Sequence, residues 1–437
     1  MDNVSLGILF TFILLVLILF IRMPVGLAMA LAGAGGIFFI AGMKPLFNVI
    51  SNTPYTTSSD YVFTVIPMFV LMGWLAAESQ ISTDMFIAIN KWIGWIRGGL
   101  AMAVSLACAA FGAVCGDSIT TAVTMTSIAL PEMRKNKYKD RLSTGILAAG
   151  GNLGFMIPPS IAFIIYGIIT ETSIGHLFMA GILPGILLAF AFCIAIYIIC
   201  RMDPKAGPAS KRVPVRESLR IPAGAWLMLV LAIMVLGGIY AGFFTPTEAG
   251  GCGAFITLVF GLVTKRLNWT RIKNSLINTV KTSAMIFILI IGAIIFSRML
   301  ALSTLPFVIT DTIAGIAINR YIILALILMV FIILGFFLDI MSILLIMLPV
   351  VSPVASGLGF DLVWFGVLVI VTVLMGQISP PVGIVVFAVS GVAKDVPLME
   401  IFKGAMPYFF MMAICLVILI AFPQISLFVP DMMIVAK

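Results

Sequence analysis

Two aspartates lie inside long apolar stretches of the chain, where an ionisable side chain marks a candidate functional site. Asp117 belongs to the sequence CGDSITT, and Asp339 belongs to LDIMS. A hydroxyl side chain, Thr120 or Ser342, follows each aspartate by three residues. Carboxylate and hydroxyl oxygens are ligands that hard cations such as Na⁺ prefer. The pattern predicts cation ligands at both places; a helix N-cap is the alternative role, and the two roles are compatible.

A Pro-Pro pair interrupts the apolar segment that follows each aspartate. The sequences are GGNLGFMIPPS, with Pro158 and Pro159, and GQISPPVG, with Pro380 and Pro381. Proline has no backbone donor and pushes the preceding residue out of helical geometry, so carbonyls upstream lose their helical partners. In hydrocarbon each unpaired backbone group costs several kcal/mol unless something binds it. We therefore expect broken helices whose free carbonyls coordinate a cation, with a simple kink as the alternative.

Oxygen-bearing and small residues around these interruptions complete the candidate site. Half-helix N-termini would also present partial positive charge there, which suits an anionic substrate. A carboxylate-bearing substrate that moves with Na⁺ is the resulting hypothesis. The candidate ion- and substrate-binding residues are Asp117, Ser118, Thr120, Asn152, Gly154, Pro158, Pro159 and Ser160 in the first half, and Asp339, Ser342, Gly376, Gln377, Ser379, Pro380 and Pro381 in the second.

Other ionisable residues offer weaker candidates. Arg298 lies near the outer end of a predicted span, where snorkelling to the headgroups is the default and pairing with a substrate carboxylate is the alternative. The sequence contains no GxxxxGK[ST], HExxH or GxSxG motif and a single histidine, His176, so an enzyme is not expected. A membrane enzyme using Asp117 and Asp339 as an acid–base pair is the alternative from another class. The oxygen-rich breaks favour ion binding over it.

Composition places these residues in a membrane protein. The 437 residues have a mean hydropathy of +1.24, and 10% are charged, whereas about a quarter is usual for a soluble domain. The net charge of +8 comes from basic residues in short loops between apolar segments, so it indicates membrane topology and not nucleic-acid binding. The six cysteines lie in apolar segments without a CxxC pair, which favours packing over disulfides or zinc.

The apolar segments predict the spans, and the basic loops predict their orientation. The basic residues Lys91 and Arg97 precede the stretch 99–130, and the basic loop 131–141 follows it. With both in the cytoplasm, as with the linker 201–222, the stretch must start and finish on one side and is therefore a re-entrant hairpin. The polar loop 52–60 and both termini then lie outside, and 266–281 is expected to be a separate interfacial helix. The predicted elements are 5–21, 24–42, 61–79, 99–130, 142–169, 177–200, 224–241, 248–264, 283–302, 321–352, 362–389 and 405–425.

The sequence repeats itself at one fixed offset in residue number, here called the repeat offset, which is the separation between Asp117 and Asp339. The other positions that match at this offset are Thr120 with Ser342, Pro131 with Pro353, Gly154 with Gly376, and Pro158-Pro159 with Pro380-Pro381. After the first hairpin the loop reads PEMRKNKYKDR, but the equivalent PVASGLGFD has no basic residue, which predicts opposite orientations.

The repeat predicts the architecture. We expect an all-α integral membrane protein with a first repeat over 1–200, a cytoplasmic linker over 201–222 and a second, inverted repeat over 223–437. Each repeat would contain three spans, a re-entrant hairpin and two further spans, of which the first is a Pro-Pro broken helix.

Four motifs give the chain a family resemblance: GDSITT, GNLGFMIPPS, ETSIGHLFMAGILPG and TPTEAG. In these motifs the chain resembles the large, DctM-like membrane subunit of tripartite ATP-independent periplasmic (TRAP) transporters. The resemblance implies an elevator-type mechanism, Na⁺ coupling, a small four-helix membrane partner and a periplasmic substrate-binding protein. It adds Gly116 to the site residues above. Relatives often carry a small, serine-rich tip where this chain has Asp117, so the resemblance does not transfer a particular substrate.

The expected function is Na⁺-coupled import of an organic acid anion across the bacterial inner membrane. The family resemblance suggests a C4-dicarboxylate, sialic or another sugar acid, or a keto acid. The periplasmic binding protein would deliver the solute, Na⁺ would be the coupling ion, and no other cofactor is expected. The alternative is a stand-alone Na⁺/carboxylate symporter or ion antiporter of similar fold.

Overall fold

The computed structural model describes residues 2–209, 214, 221–315 and 319–433, and the secondary structure in these ranges is helical without strands. Residues 210–213 and 215–220, which belong to the predicted linker, lie outside the described residues. The helices are α1 Asn3–Leu19, α2 Val25–Ala41, α3 Met43–Ser59, α4 Tyr61–Glu78, α5 Ile81–Ile93, α6 Gly99–Cys115, α7 Ser118–Lys135, α8 Asp140–Met156, α9 Ile161–Thr170, α10 Ile174–Met202, α11 Ala223–Tyr240, α12 Pro246–Val263, α13 Trp269–Ser303, α14 Leu305–Gly315, α15 Arg320–Gly335, α16 Ile340–Gly357, α17 Leu362–Gln377, α18 Ile384–Val392, α19 Leu398–Ala421 and α20 Gln424–Asp431.

Seven of these helices are long and apolar enough to cross a membrane, and the bent pair α8–α9 would add an eighth. Among the shorter apolar helices are α1, α2, α6, α15 and α17. Helix α6 has 17 residues and ends at a tight turn, after which α7 begins at Ser118. The tight turn between α6 and α7 fits the predicted hairpin, of which these two helices would be the arms.

Helices of the two halves correspond in order at the repeat offset. Helices α7 and α16 begin at Ser118 and Ile340, and α8 and α17 begin at Asp140 and Leu362, so both pairs of start positions differ by this offset. The turn after each hairpin also repeats, since Lys137 (φ +60°) and the equivalent Gly359 (φ +73°) both adopt the left-handed conformation. The regularity of the sequence motifs therefore extends to the helix bounds and the turns.

Two predictions about the segments between spans were wrong. The expected loop 52–60 is helical up to Ser59 and belongs to α3, an amphipathic helix. The expected interfacial helix 266–281 is not separate, because α13 runs without a break from Trp269 to Ser303. The difference lies at one repeat position: Asp60 caps a new turn by accepting a hydrogen bond from Val62 N, whereas the equivalent Thr282 continues its helix.

Glycines allow the closest helix–helix contacts. A Cβ on Gly26 of α2 would lie 2.8 Å from Ile288 O of α13, and one on Gly292 would lie 2.0 Å from Gly26 O. Likewise, a Cβ on Gly145 of α8 would lie 2.2 Å from Gly404 C of α19. The α2–α13 contact joins helices of the two halves beside the hairpins, and the α8–α19 contact joins the first broken helix to the last long helix.

Candidate functional site

The first hairpin tip is fixed by local hydrogen bonds of the residues that the sequence singled out. Gly116 ends α6 in the left-handed conformation (φ +65°), which glycine adopts without steric cost. Asp117 is the N-cap of α7, and its Oδ2 accepts a hydrogen bond from Thr120 N at 2.6 Å. Ser118, the first residue of α7, is fully buried. The cap role proposed for Asp117 is thus present, and it uses only one carboxylate oxygen.

The second tip has the same kind of N-cap, but the capping aspartate accepts hydrogen bonds from both the backbone and the side chain of one residue. Asp339 is the N-cap of α16 and accepts hydrogen bonds from Ser342 N, at 3.1 Å, and from Ser342 Oγ. Each tip also touches the break of its own half: Ile161 N donates to Gly116 O at 3.3 Å, and Gly383 N donates to Phe336 O at 3.3 Å. Ile161 and Gly383 are equivalent at the repeat offset, so the same donor position ties tip to break in both halves.

Both Pro-Pro pairs separate two helices, as expected. Helices α8 and α9 are bent by 43° at the first pair, and both Pro-Pro peptide bonds are cis. Ser160 Oγ donates to Phe155 O at 2.6 Å, and Ser379 Oγ donates to Met375 O at 2.7 Å. The two buried hydroxyls therefore satisfy carbonyls upstream of the breaks while keeping their own oxygen lone pairs free to accept.

The predicted glycines lie where backbones approach closely. A Cβ on Gly154 would lie 2.8 Å from Asp117 O, so the first tip rests on α8 at this glycine. A Cβ on Gly376 would lie 2.6 Å from Gly335 Cα, which places the end of α15 against α17 in the same way. At each glycine, the hairpin of that half packs directly against the broken helix.

One hydrogen bond joins the two halves at equivalent positions. Asn152 Nδ2 donates to Leu374 O at 2.7 Å, and the two residues are separated by 222 positions, which is the repeat offset. The bond therefore joins one position of the repeat to its equivalent in the other half. The first broken helix is thereby bound directly to the second.

Three buried oxygens at the tips and breaks have no hydrogen-bond partner among the described residues. They are Ser118 Oγ, Asn152 Oδ1 and Gln377 Oε1. Their residues are between 0% and 1% exposed, so water does not replace the missing partners at the surface. A buried polar atom without a partner costs about 1–3 kcal/mol, so the presence of three of the ten such side-chain atoms of the described residues at the tips and breaks requires an explanation.

A cavity of about 380 Å³, here called the tip cavity, connects both halves of the site. Asp117 and Thr120 of the first tip, Asp339 of the second tip and Gln377 at the end of α17 all line it. The cavity also contacts α4 and α13, so it lies between the hairpin tips and these two long helices. The candidates Ser118, Asn152, Ser160, Ser342 and Ser379 belong to the same tips and breaks but are not lining residues.

The structure does not bring Arg298 to this cavity. Arg298 is exposed and lines a separate cavity of about 1110 Å³, here called the Arg298 cavity, together with Asp60, Glu171 and His176. The pairing of Arg298 with a substrate held between the tips thus has no support in the position of its side chain.

Sequence reasoning missed the wall of the tip cavity that α4 and α13 supply. Trp74 of α4 and Thr282 and Met285 of α13 line the cavity opposite the tips. Each lies within an apolar helix without a motif, so no local signal identified them. Within the described ranges, no group of three His, Cys, Asp or Glu side chains is arranged to hold a metal ion.

The fold and the site define a class. An all-helical membrane protein whose two broken helices and two hairpin tips meet at an internal cavity is a membrane transporter of the broken-helix type. The model of the tripartite ATP-independent periplasmic transporter DctM component matches residues 12–425, and the chain belongs to this family. It is therefore the large permease subunit of a TRAP transporter and not an enzyme.

Individual relatives agree with this assignment. The chain is 34% identical to the C4-dicarboxylate TRAP transporter large permease protein DctM of Pseudomonas aeruginosa, over 86% of this chain and 88% of that protein. It is 31% identical to the sialic acid TRAP transporter large permease protein SiaM of Vibrio cholerae, over 95% and 96%. In fold it is similar to the YdaH transporter of Alcanivorax borkumensis, with a TM-score of 0.69 over 98% of this chain and 100% of that one at 14% identity.

Proposed function

We propose that this permease imports a small organic acid across the bacterial inner membrane in symport with Na⁺, and that a periplasmic binding protein delivers the acid. The observation that carries the proposal is the convergence of two capped hairpin tips and two broken helices on one cavity, with unpartnered buried oxygens beside it. A small membrane subunit, as in other TRAP transporters, would complete the complex.

The unpartnered oxygens are of a type that binds sodium. Ser118 Oγ and Asn152 Oδ1 are a hydroxyl and an amide oxygen, which are hard ligands of the kind that alkali and alkaline-earth cations bind. A cation at these atoms would remove the cost of burying them without a partner. Both residues lie in the first half and outside the lining of the tip cavity, so we assign the coupling-ion role to them.

The substrate would occupy the tip cavity. Its volume of about 380 Å³ lies in the range of small-molecule sites. The two relatives described above are named for transport of C4-dicarboxylates and of sialic acid, both of which carry a carboxylate. A C4-dicarboxylate, a sugar acid or a keto acid therefore forms the initial substrate panel.

The inverted arrangement of the two halves belongs to the same proposal. Opposite orientation would bring both tips to the middle of the membrane from opposite faces, with both termini in the periplasm. Because the tip cavity lies between the hairpins and the pair α4–α13, an elevator-type movement would carry the hairpins and broken helices past these helices as one body.

Uptake into proteoliposomes tests the proposed function. The vesicles contain the full chain with its small membrane subunit, and the panel consists of labelled succinate, N-acetylneuraminate, pyruvate and the zwitterion 4-aminobutyrate. We expect at least one acid to accumulate only when an inward Na⁺ gradient and the cognate binding protein are both present. Accumulation with K⁺ in place of Na⁺ would contradict the coupling, and accumulation without the binding protein would favour the stand-alone symporter.

A further inference from the structure

The tip cavity contains two carboxyl side chains and, among the described side chains, no protein cation beside them. Asp117 and Asp339 both line it, and the described residues that line it include no lysine, arginine or histidine. Neither aspartate forms an ion pair within the described part of the chain. A carboxylate substrate bound here alone would lie beside two carboxyl groups without a cation, which is unfavourable in a low-dielectric site.

Helix capping leaves acceptor capacity on the aspartates. The cap of α7 uses Oδ2 of Asp117 for the bond from Thr120 N, so Oδ1 remains outside the cap. A carboxylate has about four acceptor positions on its two oxygens. Asp339 uses two of them for Ser342. Both aspartates can therefore accept further hydrogen bonds from a ligand that carries donors.

A third acceptor points to a ligand independently of the acidic pair. Gln377 lines the same cavity, is 1% exposed, and its Oε1 has no partner among the described residues. A buried amide oxygen without a donor is costly, so the cavity lacks a donor that a ligand would bring. The two carboxylates and the amide oxygen all accept, whereas the side-chain donors in the lining are neutral: the amide NH₂ of Gln377, the hydroxyls of Thr120 and Thr282, the indole N–H of Trp74 and the thiol of Cys115.

The remainder of the lining fits an organic group better than a bare ion. Trp74, Phe155 and Met285 face the cavity with several isoleucines, and its volume of about 380 Å³ exceeds what one alkali cation needs. Aromatic faces, tryptophan above all, attract organic cations. By contrast, the unpartnered oxygens of Ser118 and Asn152 are not part of the lining, so these sodium candidates are separate from the organic site.

We propose that the tip cavity takes a protonated or quaternary nitrogen of the substrate between Asp117 and Asp339, against Trp74. The transported acid would then be a zwitterion that carries an ammonium or amidinium group beside its carboxylate. This inference rests on the proposed function, because it names the class of acid that the same site transports.

Matched ligands separate the nitrogen from the rest of the substrate. The purified complex in nanodiscs is titrated with 4-aminobutyrate and its isostere pentanoate, and with 4-(trimethylammonio)butyrate and its isostere 5,5-dimethylhexanoate, while thermal stability is recorded. We expect at least one zwitterion to stabilise the complex with a half-saturating concentration at least 10-fold below that of its isostere. Equal concentrations within each pair, or no stabilisation by either zwitterion up to 50 mM, would overturn the proposal.

Conservative variants tie the preference to the named residues. Asp117→Asn and Asp339→Asn keep an N-cap residue, since asparagine caps helices as well as aspartate does. Each is expected to reduce the preference for the zwitterion to within 2-fold, whereas Glu171→Gln in the Arg298 cavity retains it. Retention of the full preference in both asparagine variants would exclude the aspartates as the recognising groups.

The same titrations distinguish this inference from the proposed function. Ser118→Ala is expected to weaken stabilisation by Na⁺ at least 5-fold while the zwitterion preference persists. A complex that Na⁺ stabilises, but that does not discriminate within the pairs, would reject the zwitterion and leave the sodium-coupled function intact. A zwitterion preference without any Na⁺ effect would reject sodium coupling alone.

Discussion

Asp117→Ala is expected to lower Na⁺-dependent uptake at least 10-fold. The substitution removes a charged hydrogen-bond acceptor, worth about 1.5–3 kcal/mol, which corresponds to a factor of about 10 to 150 because each 1.4 kcal/mol is about tenfold. It also removes the N-cap of α7, worth about 1 kcal/mol of stability. The measurement is the initial rate of uptake into proteoliposomes at several Na⁺ concentrations.

Asp117→Asn separates the two roles that the sequence left open. Asparagine retains the cap to Thr120 N but removes the charge. If Asp117 binds the transported ion or substrate, this variant keeps the thermal stability of the wild type. Its uptake, however, falls almost as far as that of the alanine variant. Full recovery of uptake by asparagine would reduce Asp117 to a helix cap and remove it from the site.

Gly376→Val is expected to abolish uptake and to lower the free energy of unfolding by about 3 kcal/mol or more. A Cβ at this position would lie 2.6 Å from Gly335 Cα and 2.7 Å from Ile332 O, which are backbone atoms that cannot rotate away. Overpacking of a tight contact costs typically about 1–3 kcal/mol even where side chains can yield. The valine side chain would force the end of α15, in the second hairpin, away from α17.

Gly391 supplies the matched control for this substitution. It lies in α18 of the same half, and a Cβ there would meet nothing within 4 Å. Gly391→Val should therefore melt within a few degrees of the wild type and transport at a comparable rate. Wild-type uptake and melting temperature in Gly376→Val would show that the close contact between the second hairpin and α17 does not position the site.

The tips and the breaks could be predicted from the sequence because each depends on residue types at fixed positions. An aspartate followed by a hydroxyl three residues later marked both caps, and the Pro-Pro pairs marked both breaks. The repeat offset then paired these features, and the starts of the corresponding helices differ by the same offset.

Contacts between distant helices could not be predicted in this way. Trp74 and Met285 face the tip cavity because α4 and α13 pack beside the hairpins, and neither residue belongs to a motif. The partner of Asn152 was also missed, although the repeat points to it, since Leu374 is the equivalent residue of the other half. The helix α3 was missed for a local reason: its polar sequence resembles a loop, and Asp60 ends it before α4.

The proposed site depends on the opposite orientation of the two halves, and cysteine accessibility tests this directly. Lys137→Cys places an exposed thiol in the turn after the first hairpin, and Ser356→Cys places one in the last turn of α16, at the end of the second hairpin. The parent chain gives the background of the six native cysteines, of which four are buried. A membrane-impermeant maleimide is applied to intact cells and to permeabilised cells. We expect Ser356→Cys to be labelled in intact cells and Lys137→Cys only after permeabilisation; labelling of both from the same face would contradict the inverted repeat.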